Sequence, residues 1–227
     1  MLNVVKLSSV ASKLDPARVV DTALRLLNET GLEALTLRRI AAELNVQAPA
    51  LYWHFANKQA LLDAMATAMQ RQMAAEPAPG PSAPWQDWIG GACRVLRRTL
   101  LGYRDGARVF SGTRFEGADH APGLDRHLRA LLAAGFTLEQ AALASATAFA
   151  YTTGFVIEEQ SVHPMPGERD AYFDPARRAQ RIGPDYPLAA AVGQELFAGF
   201  DERFERGLLI VLAGVAATTP GLRPADL

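Results

Sequence analysis

Between Ala48 and Met65 the sequence reads APALYWHFANKQALLDAM, with Tyr52, Trp53, His54 and Phe55 in consecutive positions. Such a row suits a packed aromatic core, a histidine that moves protons, or a surface touching something outside the chain. Proton transfer needs a base held beside its reacting partner, and no nearby carboxylate or nucleophile is spaced to orient His54. Trp53 and Phe55 are core residues by default, because aromatic rings bury large areas. Tyr52 and His54 carry polar atoms suited to phosphates. Ala48, Pro49 and Ala50, just ahead, are small enough to let the backbone come close to a partner. Arg38 and Arg39 upstream and Lys58 downstream are placed to clamp a phosphate backbone on either side. Arg38 also suits the bidentate edge of a guanine, whereas Arg39 is equally a solvated helix face.

The remaining reactive side chains point to little chemistry. His120, His127 and His163 are widely and irregularly spaced, unlike zinc ligands. Cys93 is the single cysteine, which excludes an internal disulfide and a thiolate cluster and fits a reducing cytoplasm. Glu158 and Glu159 resemble an acid–base pair, but a helix end with one pocket residue and one solvated residue is simpler. Nucleophile, base and orienter coincide nowhere, so an enzyme is not expected, nor any metal or cofactor.

The elements that must position these residues read as helices. The chain has 227 residues, 49% hydrophobic and 21% charged, with a formal net charge of −1. That excludes an acidic tail or a globally basic coat, but leaves room for a small basic face. The opening MLNVVKLSSVAS lacks the apolar run of a signal peptide, and residues 1–12 read as a flexible arm. The uncharged run Gln140–Ile157 is flanked by Glu139 and Glu158 instead of basic residues, so a buried helix is expected in place of a membrane span. Asp15 before Pro16 is an N-cap with proline at the first helical position, and Gly31 ends that helix. Thr36 caps a short second helix, LRRIAAEL. A third is expected over Leu51–Phe55 and a fourth over Lys58–Met73. Four prolines and a glycine between Ala74 and Pro84 mark a loop. Helical periodicity resumes from Trp85 to Tyr103, then in RDGARVF, in GLDRHLRALLAAG, from Thr137, and in a final pair after Pro187. The Pro-, Gly- and Arg-rich stretch 160–186 reads as a long, partly ordered excursion.

The fold class is therefore all-α. Helix, turn, short helix, tight turn and another short helix within the first sixty or so residues is a helix-turn-helix arrangement. It marks residues 13–59 as a DNA-binding domain and leaves 60–220 as a second helical region. Double-stranded DNA is the expected first partner.

From Leu14 to about Glu159 the chain resembles the tetracycline-repressor (TetR) family, and its tetracycline-sensing branch in particular. ALRLLNETGLEALTLRRIAAELNV and LYWHFANKQALLDAM mark the family broadly; WQDW, YRDGARVFSGTR and AGFTLEQA mark the branch. The resemblance implies a homodimer that reads a palindromic operator, with 60–220 as a ligand-binding and dimerisation domain. Its DNA-contacting set would be Thr36, Arg38, Gln47, Pro49, Leu51, Tyr52, Trp53, His54 and Lys58, with Ala48 and Ala50 at the tip. Leu37 and Ala48 stand where the tetracycline repressors carry a threonine and a base-reading glutamine. A bidentate base contact is worth about 1–3 kcal/mol, so a different operator is expected.

The effector-contacting positions implied by the resemblance are Ala74, Ala92, Leu96, Phe110, Thr113, Arg114, His127 and Glu158. Thr113, Arg114 and Glu158 match the branch. Phe110 replaces the histidine that holds the drug-chelating magnesium, while Ala74 and Ala92 replace a drug-contacting histidine and asparagine. A hydrophobic or aromatic effector is expected in place of magnesium-tetracycline. The apolar helices LASATAFAYTTGF and GLLIVLAGVAA are expected to form a four-helix dimer interface, although burial within one subunit is the alternative. Two other readings remain at this point: an enzyme using the same pocket, and a DNA-binding protein whose pocket has lost its ligand.

Overall fold

The computed structural model describes residues 14–113, 117–219 and 221. Asp15 accepts from the Ala17 backbone N–H at 3.0 Å and opens α1, Pro16–Ala34. Gly31 breaks it with φ 76°, a conformation that leaves one last turn at a new angle. Thr36 accepts from the Arg39 N–H to begin α2, Leu37–Glu43. α3 spans Ala48–Tyr52, three residues ahead of the expected Leu51–Phe55. Pro49, already in helical φ, starts the turn early, and the chain leaves it at Trp53 so that Asn57 can cap α4, Lys58–Ala74.

After the proline-rich loop come α5, Trp85–Leu101, and the short α6, Gly106–Phe110. α7 covers Ala121–Ala133, and α8 covers Leu138–Val162, begun by a capping box between Thr137 and Gln140. About half of the expected excursion 160–186 is helical. Gln160 and Val162 are buried at the end of α8, and a 3₁₀ turn Ala171–Phe173 leads into α9, Pro175–Ile182. In place of a final pair, two short helices, α10 (Pro187–Ala191) and α11 (Gly193–Leu196), precede one long α12, Phe200–Thr218. Among the described residues every regular element is helical.

Two cores hold these helices. The first joins Val19, Leu27, Ile40, Leu51, Phe55, Leu61 and Met65 to Leu96, Leu100, Val109, Phe110 and Val156. It runs without interruption across residue 59, so the change of role there is not a gap in packing. The second gathers Trp85, Trp88, Ile89, Leu131, Phe136, Ala144, Phe204 and Leu208 around α5, α7, α8 and α12. Between α5, α8 and α12, Arg97 makes a two-bond pair with Glu159 at 2.7 and 2.8 Å, and also reaches Asp201. The Arg97 and Glu159 side chains are only 13% and 9% exposed. The segment 171–197 packs differently: Arg178 stacks on Phe197 and Arg181 on Tyr172, while Arg169 donates to the Phe173 and Phe197 carbonyls.

Candidate DNA-binding face and effector pocket

On the first three helices Thr36, Arg38, Gln47, Pro49, Tyr52, Trp53, His54 and Lys58 are exposed, and Ala48 and Ala50 are half-buried. Trp53 is 88% exposed and Tyr52 53%. Burying a large ring stabilises a fold by a few kcal/mol, so an indole left this open suits contact with a partner surface. Thr36 already spends its hydroxyl as the α2 cap, and Lys58 donates to the Leu32 carbonyl at 2.9 Å while its side chain stays at the surface. Leu51 is the correction. It is 0% exposed and lies in the first core, where α3 packs on α2, so its side chain is turned away from any partner at the surface. Leu37 is likewise buried at 7%, whereas Ala48 is half-buried at the start of α3.

The inner faces of α5 to α8 meet farther along the chain. Trp88, Ala92, Leu96 and Thr99 share one face of α5, at the i, i+4, i+8 and i+11 spacing. Trp88, Leu96 and Thr99 are buried, yet Ala92 between them is exposed. The alanine is therefore open to solvent beside buried neighbours. Phe110, at the end of α6, is 5% exposed, and its ring lies 6.2 Å from that of Phe149 on α8. His127 on α7 shares a 3.0 Å hydrogen bond between Nε2 and the Ser145 hydroxyl, and its ring meets Trp88 edge to face at 6.3 Å. Burial pushes the His127 pKa down, which favours the neutral ring.

The structure thus brings Ala92, Leu96, Phe110 and His127 to one wall. Thr113 donates to the Val109 carbonyl at 2.9 Å just after α6. Ala74 is the exposed last residue of α4, and Arg114 lies outside the described residues. Glu158 does not join this wall within one subunit. It sits on the opposite face of α8, in an outer groove with Ala150, Tyr151, Gly154, Phe155, Phe200 and Arg203. Sequence reading passed over Trp88, Ser145, Phe149 and Thr153, although the last three recur at i, i+4 and i+8 on α8.

A second group missed in sequence ties this wall to the DNA-binding helices. Asp105, at φ 56° ahead of α6, accepts from the Leu32 N–H at 2.9 Å. Arg108 bridges Asp105 and Glu33, and Arg104 donates to the Asn28 carbonyl at 2.9 Å. Gln160, from α8, donates to the Leu100 and Tyr103 carbonyls and accepts from the Ala107 N–H at 3.1 Å. These residues border a cleft of about 410 Å³ between α1, α6 and α8.

The outward faces of α8 and α12 carry Leu143, Leu209 and Ile210, which are 68%, 60% and 75% exposed. Tyr151 lies flat against Gly207, where any Cβ would collide with its ring, and donates to the Phe204 carbonyl at 2.8 Å. No helix among the described residues is long and apolar enough to cross a membrane.

Comparison with known proteins agrees with this arrangement. Residues 19–65 match the family described as bacterial regulatory proteins, tetR family, and residues 76–219 match the tetracyclin repressor-like C-terminal domain. The chain is 42% identical over 206 residues to the class A tetracycline repressor protein from transposon 1721 of Escherichia coli, covering 90% of this chain and 92% of that one. It is similar to the crystal structure of a possible TetR family transcriptional regulator from Streptomyces coelicolor A3(2), with TM-score 0.77 and 39% identity over 89% of this chain and 99% of that one. It is also similar to the Streptomyces coelicolor TetR family protein ActR in complex with actinorhodin, with TM-score 0.74, 29% identity, and 90% and 97% coverage. An exposed helix-turn-helix, the helical unit behind it and these matches together place the chain in the TetR family of ligand-responsive transcriptional repressors.

Proposed function

We propose that a homodimer of this chain binds a palindromic operator and is released from it by an aromatic, largely apolar effector, without magnesium-tetracycline. Phe110 carries this reading. Its ring packs on Phe149 at the position where the tetracycline-sensing branch, by the resemblance above, holds magnesium through an imidazole. A phenyl ring offers a metal no ligand atom, whereas it adds apolar and aromatic wall for a hydrophobic guest. The complex of ActR with actinorhodin supports a guest of this type.

Dimerisation through the outward faces of α8 and α12 would bring two recognition helices to one side of the DNA, about one helical turn apart. Thr36, Arg38, Gln47, Pro49, Tyr52, Trp53, His54 and Lys58 form the contact face, with Ala48 and Ala50 permitting close approach. Across the same interface, Glu158 of each subunit would reach the corresponding wall of the partner. The route from effector to DNA is short. A guest displacing Phe110 moves α6, and α6 is tied to the end of α1 through Asp105 and Arg108. A guest that favours one spacing of the two DNA-binding units shifts the dimer away from the operator.

The test is a gel shift on the promoter DNA flanking the gene, with tetracycline plus magnesium in one arm and a panel of aromatic polyketides in the other. Release by the polyketide arm alone is the expected result. Release by magnesium-tetracycline at micromolar drug, or by nothing in the panel, overturns the reading.

A further inference from the structure

The break at Gly31 opens one hydrogen bond of α1. In an unbroken helix the Leu32 N–H would bond the Asn28 carbonyl, four residues back. Gly31 instead has φ 76° and ψ 169°, and two consecutive residues between α5 and α6 serve the separated halves. Asp105 accepts from the Leu32 N–H and Arg104 donates from Nε to the Asn28 carbonyl, both at 2.9 Å. Arg104 also donates its backbone N–H to the Asn28 side chain at 3.0 Å. A side chain at position 31 would crowd this splice, because its Cβ would stand 3.2 Å from Oδ2 of Asp105.

The other side of Leu32 is held as well. Its carbonyl lies in the last turn of α1, where the helix offers no later N–H to it. The Lys58 ammonium donates to that carbonyl at 2.9 Å. Lys58 is the first residue of α4, whose start is fixed by the Asn57 side chain accepting from the Ala60 N–H. An ammonium carries three N–H donors, so two remain for a phosphate while one stays on Leu32. A lysine held in this way loses less freedom on meeting DNA than a free one.

We infer that the Leu32 carbonyl positions the Lys58 ammonium for its phosphate contact, and that Asp105 and Arg104, by gripping the broken turn, set where that contact falls. Asp105 and Arg104 are thus positioning residues for DNA binding, although neither belongs to the DNA-contacting helices. A shift of α6 moves the Leu32 carbonyl, and with it a positive charge on the contact face. The inference rests on the reading of Lys58 as a phosphate contact and names the last link between α6 and the operator.

The full-length protein is tested by fluorescence anisotropy on the promoter DNA flanking its gene, at several salt concentrations. Lys58→Met is expected to lower the slope of log affinity against log salt by about 0.9 per subunit, the loss of one phosphate contact. Asp105→Ala is expected to lower the slope in the same sense and to weaken binding about fivefold, a common strength of coupling between sites. Removing a negative charge would by itself tighten binding to DNA, so the direction separates positioning from plain electrostatics. Asp105→Asn keeps an acceptor for Leu32 and tolerates the left-handed backbone, and is expected to bind as the wild type does. In the Lys58→Met background Asp105→Ala is expected to change nothing further. The binding left in Asp105→Ala no longer answers to α6, so its release takes more effector. Should Asp105→Ala fail to fold, Arg104→Gln, which loosens the same turn from the Asn28 side, replaces it in the cycle with the same expected pattern. Equal weakening with and without Lys58, tighter binding by Asp105→Ala, or an unchanged salt slope for Lys58→Met overturns the inference and leaves the operator reading standing. A wild-type protein that leaves the promoter DNA unbound overturns both.

Discussion

The Asp105 carboxylate accepts a hydrogen bond from the Leu32 backbone N–H at 2.9 Å, so the residue that opens α6 also closes the last turn of α1. Three contacts converge on this point, because Arg108 holds both Asp105 and Glu33. Asp105→Ala removes the acceptor and leaves an alanine in the left-handed region, a combined loss of about 1–3 kcal/mol. Urea denaturation measures that loss. The same variant is expected to bind effector normally in dialysis but to need more of it for release in a gel shift. Unchanged release would separate this contact from the signal.

Leu51 and Trp53 lie two residues apart and are expected to respond in opposite ways. Leu51→Ala empties part of the first core and should cost about 2–5 kcal/mol of stability. Trp53→Ala removes a ring that is 88% exposed, and its thermal unfolding should change by no more than about 0.5 kcal/mol. Operator affinity, read by fluorescence anisotropy at constant salt, should fall at least severalfold for Trp53→Ala.

Glu159 and Glu76 both pair with an arginine of α5, yet only the first pair is enclosed. Glu159→Gln leaves Arg97 with the exposed Asp201 as its one charged partner and should cost about 1.5–3 kcal/mol, the worth of a hydrogen bond to a charged group. Glu76→Gln, at the surface, should cost at most about 1 kcal/mol. Denaturation midpoints of the two variants decide this directly.

His127 titrates below its ordinary value of 6.5 because burial penalises the charged ring. A group held neutral in the fold contributes stability above its unfolded pKa, and that stability drains away as pH falls from there towards the folded pKa. Thermal unfolding of the wild type should therefore weaken between about pH 7 and pH 5. His127→Gln, which keeps a polar partner for Ser145, should show a shallower decline over the same range.

Gly207→Ala puts a methyl group into the Tyr151 ring, which must then leave its stack on Phe204 and release the Phe204 carbonyl. Tyr151 lines the outer groove beside Glu158, so both stability and the monomer–dimer equilibrium should suffer. Sedimentation at several concentrations reads the second effect, and a wild-type dissociation constant would show that the groove is not part of the interface.

Local signals carried much of the fold. Asp15–Pro16, Thr36, Asn57 and the Thr137–Gln140 box are short-range devices, and their helices begin where those residues stand. α3 was placed late because its apolar residues, Leu51 and Phe55, both pack inward, although only Leu51 is helical. Leu51 entered the contact face only through the family resemblance, and the motif it belongs to does not say which of its side chains turns inward. The 160–199 segment hid its helices because its order comes from arginine planes on rings, such as Arg178 on Phe197, which leave no apolar period to count. The contact between Leu32 and Asp105 is invisible in sequence for a plainer reason, since the two are 73 residues apart and one partner is a backbone N–H.

The two faces of α8 hold different occupations, and that division constrains how the protein can diversify. Under the proposed reading Ser145, Phe149 and Thr153 face the effector, while Leu143 and Gly154 are exposed on the face assigned to the partner subunit. A change on α8 that reorients the helix would disturb both at once. Ala92 on α5 and His127 on α7 carry no such double duty in that reading. Descendants of a common ancestor would then be free to acquire new tastes on those two helices while still recognising the same partner for assembly.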